Sequence, residues 1–158
     1  MNKPTALYFD MDGTIADLYG VENWLQMLIN EETTPYEIAR PLCDMARLTT
    51  ILSALKENGV IIGVISWGSK KASLSYGRRI RKAKVEWLRQ MGLIEVIDEI
   101  HVVKYGTPKH KVAKISNALL VDDDAGVREA WEAYGGNTIN PLEADLIEVL
   151  ARLVKEGE

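Results

Sequence analysis

A three-layer α/β/α sandwich with a mainly parallel sheet is the fold class that this 158-residue sequence predicts. Two observations predict it: short apolar runs ending in polar residues recur along the chain, and the segments between them carry apolar residues at helical spacing. A strand covered by helices on both faces has no wet side, so its side chains are apolar throughout instead of alternating.

The first run, Ala6-Leu7-Tyr8-Phe9, ends in Asp10-Met11-Asp12-Gly13-Thr14. Alternate side chains of an extended chain share a side, so Asp10 and Asp12 address one spot while Met11 turns away. Gly13 then lets the chain break sharply. Segment 15–47 has room for one or two short helices; Val21, Trp24, Leu25 and Leu28 mark one, and Pro35 and Pro41 interrupt the remainder of the segment. Leu48, Ile51, Leu52 and Leu55 fall at i, i+3, i+4 and i+7, which predicts a helix leading into a second strand that ends at Ser66. Tyr76-Gly77 suggests a late start to the next helix, leaving a loop from Gly68 to Tyr76 above the strand ends. That helix turns Ile80, Ala83, Trp87, Leu88 and Met91 inward and its charged residues outward.

A further strand is expected at Glu99-Ile100-His101-Val102-Val103. Thr107 then reads as an N-cap and Pro108 as the first residue of a short helix, which puts Lys109 in its first turn. The run Ala118-Leu119-Leu120-Val121 ends in three acids, Asp122, Asp123 and Asp124, and a helix follows with Val127, Ala130, Trp131 and Tyr134 on one face. A last strand near 137–140 precedes a helix begun by Pro141 that carries Leu142, Leu146, Ile147, Leu150 and Leu153 inward. Ligands of such sheets bind at the carboxyl ends of the strands, where Asp10, Ser66 and Asp123 all lie.

With 47% hydrophobic residues the chain can bury a sizeable core, and residues 1–158 read as one domain with a small helical insertion at about 15–47. Cys43 is the only cysteine, which excludes an internal disulfide and a thiolate metal cluster. His101 and His110 lack metal-ligand spacing. No apolar stretch reaches membrane-spanning length and the N-terminus enters a strand at once, so a cytoplasmic setting and no membrane partner are expected.

Two carboxylates as close as Asp10 and Asp12 are costly unless a cation neutralises them or one keeps a proton, and either outcome suits phosphoryl chemistry. The string Asp10-Met11-Asp12-Gly13-Thr14, the strand ending at Ser66, a lysine near a helix start and the acidic end of the 118–124 run occur in the order that resembles the haloacid dehalogenase-like (HAD) superfamily. Its members are mostly Mg²⁺-dependent phosphatases with a Rossmann-like sheet. The resemblance implies Asp10 as nucleophile, forming an aspartyl phosphate, and Asp12 as general acid/base that also lends its backbone carbonyl to Mg²⁺. Ser66 and Lys109 would balance charge on the phosphate, with Lys111 and Lys104 as alternatives to Lys109. Gly13, Thr14, Trp67 and Gly68 are the expected substrate contacts. Hard oxygen donors favour Mg²⁺ held by Asp10, Asp12 and Asp123, with Asp122 as an outer or alternative ligand and Asp124 as a helix cap.

In this superfamily insertions called caps choose the substrate, and segment 15–47 amounts to a miniature cap at most. Tyr19, Trp24 and Trp67 are candidates to stack a base, and the compact size, the paired acids Asp122 and Asp123 and these aromatics resemble the 5′(3′)-deoxyribonucleotidase branch. The stretch with Lys70, Lys71, Arg78, Arg79, Arg81, Lys82 and Lys84 reads first as the solvated outside of a helix, and second as a track toward a polynucleotide end. A small phosphorylated substrate, above all a nucleotide, is therefore expected. The alternatives are a polynucleotide end-processing phosphatase and a phosphate-binding or regulatory protein without turnover; a site this open fits either a large substrate that covers it or a small one enclosed by an oligomer.

Overall fold

The centre of the molecule is β1 (Ala6–Phe9), whose four residues are all buried. It pairs in parallel with β4 (Ile61–Trp67) on one side and β6 (Ala118–Val121) on the other, so that Leu7 lies opposite both Ile62 and Leu119. β5 (Glu99–Val103) extends the sheet beyond β4, and β7 (Asn137–Ile139) extends it beyond β6, giving the order β5-β4-β1-β6-β7 with every pairing parallel. The computed structural model describes residues 2–115 and 117–157.

The twofold side-chain period of β1 divides the core between two faces. Leu7 and Phe9 join Ile62, Val64, Leu119 and Val121 beneath α3 (Met45–Glu57) and α7 (Leu146–Glu156), which supply Leu48, Leu52, Leu55, Ile147, Leu150 and Leu153. Ala6 and Tyr8 face the opposite way, with Ile65 and Leu120, toward Ala113 of α5 (Lys109–Ala113) and Trp131 of α6 (Ala125–Ala133). The structure is thus an α/β fold with a parallel central sheet covered by helices on both faces.

Segment 15–47 folds over the carboxyl end of the sheet. A single 3₁₀ turn (Leu18–Gly20) is capped by Asp17, whose Oδ1 accepts from the Gly20 amide at 3.0 Å. Two short helices come next, α1 (Trp24–Ile29) and α2 (Thr34–Ile38), and a two-residue antiparallel pair, β2 (Ala16–Asp17) with β3 (Arg40–Pro41), closes the base. Leu18, Leu28 and Tyr36 bury against Tyr76, Ile80 and Ala83 of α4 (Leu74–Gln90), so this insertion has its own small core.

Four boundaries depart from the sequence expectation. Helix α4 starts at Leu74 and not after Gly77, because the Ser73 hydroxyl accepts from the Tyr76 amide at 3.2 Å and caps it; the loop over the strand ends is correspondingly shorter. Helix α5 starts at Lys109 with Pro108 at its cap position, while the Thr107 hydroxyl donates back to the Lys104 carbonyl instead of capping the helix. Helix α7 starts at Leu146 under an Asp145 cap, which leaves Leu142 exposed on the connection before it. Tyr134 falls just past the end of α6 and is exposed, stacked on the His110 ring at 3.7 Å.

Candidate active site

Phe9 pairs with Val121, so Asp10 and Asp122, the next residue of each strand, leave the sheet side by side. The Asp10 amide continues the ladder by donating to the Val121 carbonyl at 2.9 Å, which fixes where its carboxylate emerges. Asp123 joins them, and one carboxylate oxygen from each of the three lies within 4.8 Å of the others.

Gly13 and Thr14 hold this trio together. The amides of Thr14, Ile15 and Ala16 all donate to the Met11 carbonyl, a tight turn that places Gly13 at φ +79°. A Cβ at Gly13 would stand 2.5 Å from Asp123 Oδ2 and 2.8 Å from Tyr19 Cε2, so the site requires glycine for space as well as conformation. The buried Thr14 hydroxyl lies 3.2 Å from Asp10 Oδ2 and 3.2 Å from Asp123 Oδ1, and accepts from the Asp123 amide. Gly13 and Thr14 also line a smaller depression together with Leu42, Cys43 and Asp145. In this geometry they brace the acids.

Lys109 is the cation of the trio. Buried at the first residue of α5, its Nζ donates to Asp10 Oδ1 at 2.8 Å and to Asp122 Oδ2 at 2.7 Å, whereas Lys104 and Lys111 are exposed. Burial alone would pull the Lys109 ammonium down, but the charges and hydrogen bonds of Asp10 and Asp122 outweigh it and the net shift is upward. Asp124 turns away to cap α6, accepting from the Val127 amide at 2.9 Å.

Sequence reasoning missed one member of the site. Lys84, expected on the solvated outside of α4, is buried at 1% exposure, and its Nζ donates to Asp12 Oδ2 at 2.8 Å, Ser66 Oγ at 2.6 Å and the Trp67 carbonyl at 2.8 Å. A signal was present: position 84 is i+4 from Ile80 and three before Trp87, on the apolar stripe itself. Lys84 therefore holds Asp12 apart from the trio, although Asp12 lines the same cavity.

The acids carry the marks of crowding. Burial, then the charge of Asp10 and a hydrogen bond with it, pushes Asp123 up to about 7. Burial and Asp10 also raise Asp122, with Lys109 opposing, and burial raises Asp12 against the pull of Lys84. When ionised, the three acids of the trio outnumber the one Lys109 ammonium by two charges, an excess that a divalent cation matches. The donors are hard oxygens, the set that suits Mg²⁺.

Above the acids opens a cavity of about 830 Å³. Its floor is polar, with Asp10, Asp12, Lys109, Asp122 and Asp123; its far wall is apolar, built by Leu18, Tyr19, Trp24, Leu25 and Leu28 of the insertion. Tyr19 and Trp24 meet edge to face at 5.0 Å. Trp67 and Gly68 lie on the opposite wall, where the Trp67 indole donates to the Thr107 carbonyl at 2.8 Å and its ring centroid lies 5.4 Å from Lys109 Nζ. Lys70 and Lys71 sit on the loop that borders the mouth.

No family model matches the chain, and no curated protein matches it. Solved structures do. A candidate HAD-like phosphatase from Mesorhizobium loti superposes with a TM-score of 0.59 at 14% identity over 100% of this chain and 88% of its own. The N-terminal part of a Bacteroides fragilis protein, which contains a phosphatase domain complexed with Mg, gives 0.58 at 14% identity over 95% of this chain and 40% of its own. An uncharacterized protein from Corynebacterium glutamicum gives 0.50 at 17% identity, covering 96% and 95%. At these identities the likeness establishes the fold, a HAD-like Rossmann-type α/β sheet.

Proposed function

We propose that this chain is a Mg²⁺-dependent phosphomonoester hydrolase in which Asp10 forms an aspartyl-phosphate intermediate. The observation that carries the reading is the separation of two acid environments at one strand edge: Asp10 beside Lys109, Asp122 and Asp123, and Asp12 alone on Lys84. A nucleophile and a proton donor need that difference, since one must stay ionised while the other keeps a proton, and burial pushes Asp12 in the protonated direction. The HAD-like fold and the phosphatase descriptions of two structural neighbours point the same way.

Asp10, Asp122 and Asp123, with the Asp12 backbone carbonyl that the resemblance implies, would hold Mg²⁺, which when bound screens the repulsion between Asp10 and a dianionic ester. An Asp10 carboxylate oxygen attacks phosphorus, the bond to the ester oxygen breaks, and the departing alcohol takes its proton from Asp12. Asp12 then removes a proton from water as that water attacks the same phosphorus, which frees inorganic phosphate and restores Asp10. Ser66 and Lys109 stabilise the phosphoryl oxygens while their charge shifts.

The substrate is a small phosphorylated metabolite, with a nucleotide favoured. The cavity volume lies in the range of small-molecule sites, and a polar floor under an aromatic and aliphatic wall suits a phosphate attached to a flat, weakly polar group. Lys84 turns inward and Arg79 is tied to the Glu31 carbonyl at 3.0 Å, while Lys70, Lys71, Arg78, Arg81 and Lys82 stay exposed and keep a polynucleotide end as the second reading. Phosphate release from nucleoside monophosphates, sugar phosphates and phosphorylated oligonucleotides, with and without Mg²⁺, tests the assignment. Activity should require Mg²⁺, favour mononucleotides and vanish in Asp10→Asn. Release from none of them points to the binding protein without turnover.

A further inference from the structure

An ammonium has three hydrogens and no lone pair, so every partner of a buried lysine must accept. Lys84 meets that demand in full, with Asp12 Oδ2, Ser66 Oγ and the Trp67 carbonyl as its three acceptors and the Tyr36 ring 4.9 Å from Nζ. This geometry sets two polarities. The Ser66 oxygen, buried at 0% exposure, is committed as an acceptor toward Lys84, so its own hydrogen is left for an acceptor other than Lys84. The Asp12 carboxylate is anchored through Oδ2, which leaves Oδ1 to carry the proton toward the cavity that Asp12 lines. Without Lys84 both side chains could rotate, and Ser66 could spend its hydrogen on Asp12.

We infer that Lys84 is a positioning residue: it aims Asp12 at the leaving-group oxygen and sets Ser66 as a donor to the phosphoryl group. The inference rests on the phosphomonoesterase reading and adds to it a second lysine, supplied by α4, with a task different from that of Lys109.

A comparison of two aryl esters tests it. Phenolate is a poor leaving group that needs a proton as it departs; 2,4-dinitrophenolate leaves without one. Lys84→Met should lower kcat/KM on phenyl phosphate by about a hundredfold and on 2,4-dinitrophenyl phosphate by less than about tenfold, the difference being the share due to the proton donor. Equal losses on the two esters, or no loss, overturn the role, because a merely structural defect does not sense the leaving group. Should Lys84→Met fail to fold, Lys84→Gln, which keeps donors and drops the charge, is read by the same ratio. A wild-type protein that cleaves neither these esters nor the nucleoside monophosphates sinks the hydrolase reading instead. Binding of inorganic phosphate, followed by thermal shift, then decides the remaining claim: weakening by Lys84→Met supports the ordering of Ser66, and unchanged affinity overturns it.

Discussion

Asp123 sits where three carboxylates crowd one point, and burial with the charge of Asp10 pushes it up to about 7. Between the ordinary carboxylate range and that value the folded chain holds a proton that the unfolded chain has released, so stability falls as pH rises through this window. Asp12 and Asp122 are shifted in the same direction, and Lys109, shifted upward, keeps its charge throughout. Without a divalent cation, thermal denaturation should therefore give a lower Tm at about pH 8 than at about pH 5. Mg²⁺ bound among the trio would compete with protons for the same oxygens, so its stabilising shift should be small in acid and grow toward pH 8; a shift independent of pH would contradict the site. Gly13→Ala puts a methyl group into Asp123 and a strained φ into the turn. It should cost roughly 1–3 kcal/mol of stability, and most of the Mg²⁺-induced rise in Tm should disappear with it.

At the scale of the element, α4 does most to shape the site. Its N-terminus is fixed by Ser73, which caps the helix and donates to the Glu31 carboxylate, while Tyr76 donates to the Glu32 carbonyl at 2.7 Å. Ser73→Ala removes the cap and one link to the insertion, and a loss of about 1 kcal/mol in urea unfolding is expected. This helix also marks where sequence reading stops. Its apolar stripe predicts the buried face, yet Lys84 on that stripe reads like its charged neighbours, because a burial pattern is legible from periodicity while the partner that makes a buried charge tolerable lies on other strands. Asp10 and Asp122 are easier: both follow apolar runs, and parallel pairing of those runs is enough to bring them together. The helix starts at Leu74, Lys109 and Leu146 escape the sequence for a local reason, since a serine, proline or acid near a helix start does not reveal which residue the backbone selects as the cap.

For the whole molecule, the alternation of strands and helices carries the fold, whereas the cavity depends on how segment 15–47 lies across the strand ends. Composition marks that segment as short and does not show that Leu18, Leu28 and Tyr36 find a core of their own on α4. Because the acids come from separate strands, a cation bound among them ties distant parts of the chain together. At one hundred times its dissociation constant Mg²⁺ should add about 2.7 kcal/mol to global stability, and calorimetry at rising Mg²⁺ should show one transition moving upward, not two separating.

The double tether of the Glu31 and Glu32 turn to α4 carries a consequence for opening the cavity. The helix that bears Lys84 at its middle also grips the roof at its start, so the roof cannot swing on hinges of its own without straining α4. Amide protons of α1 and α2 should accordingly exchange with deuterated solvent at rates that track the first turns of α4, and entry of a ligand should slow all three together.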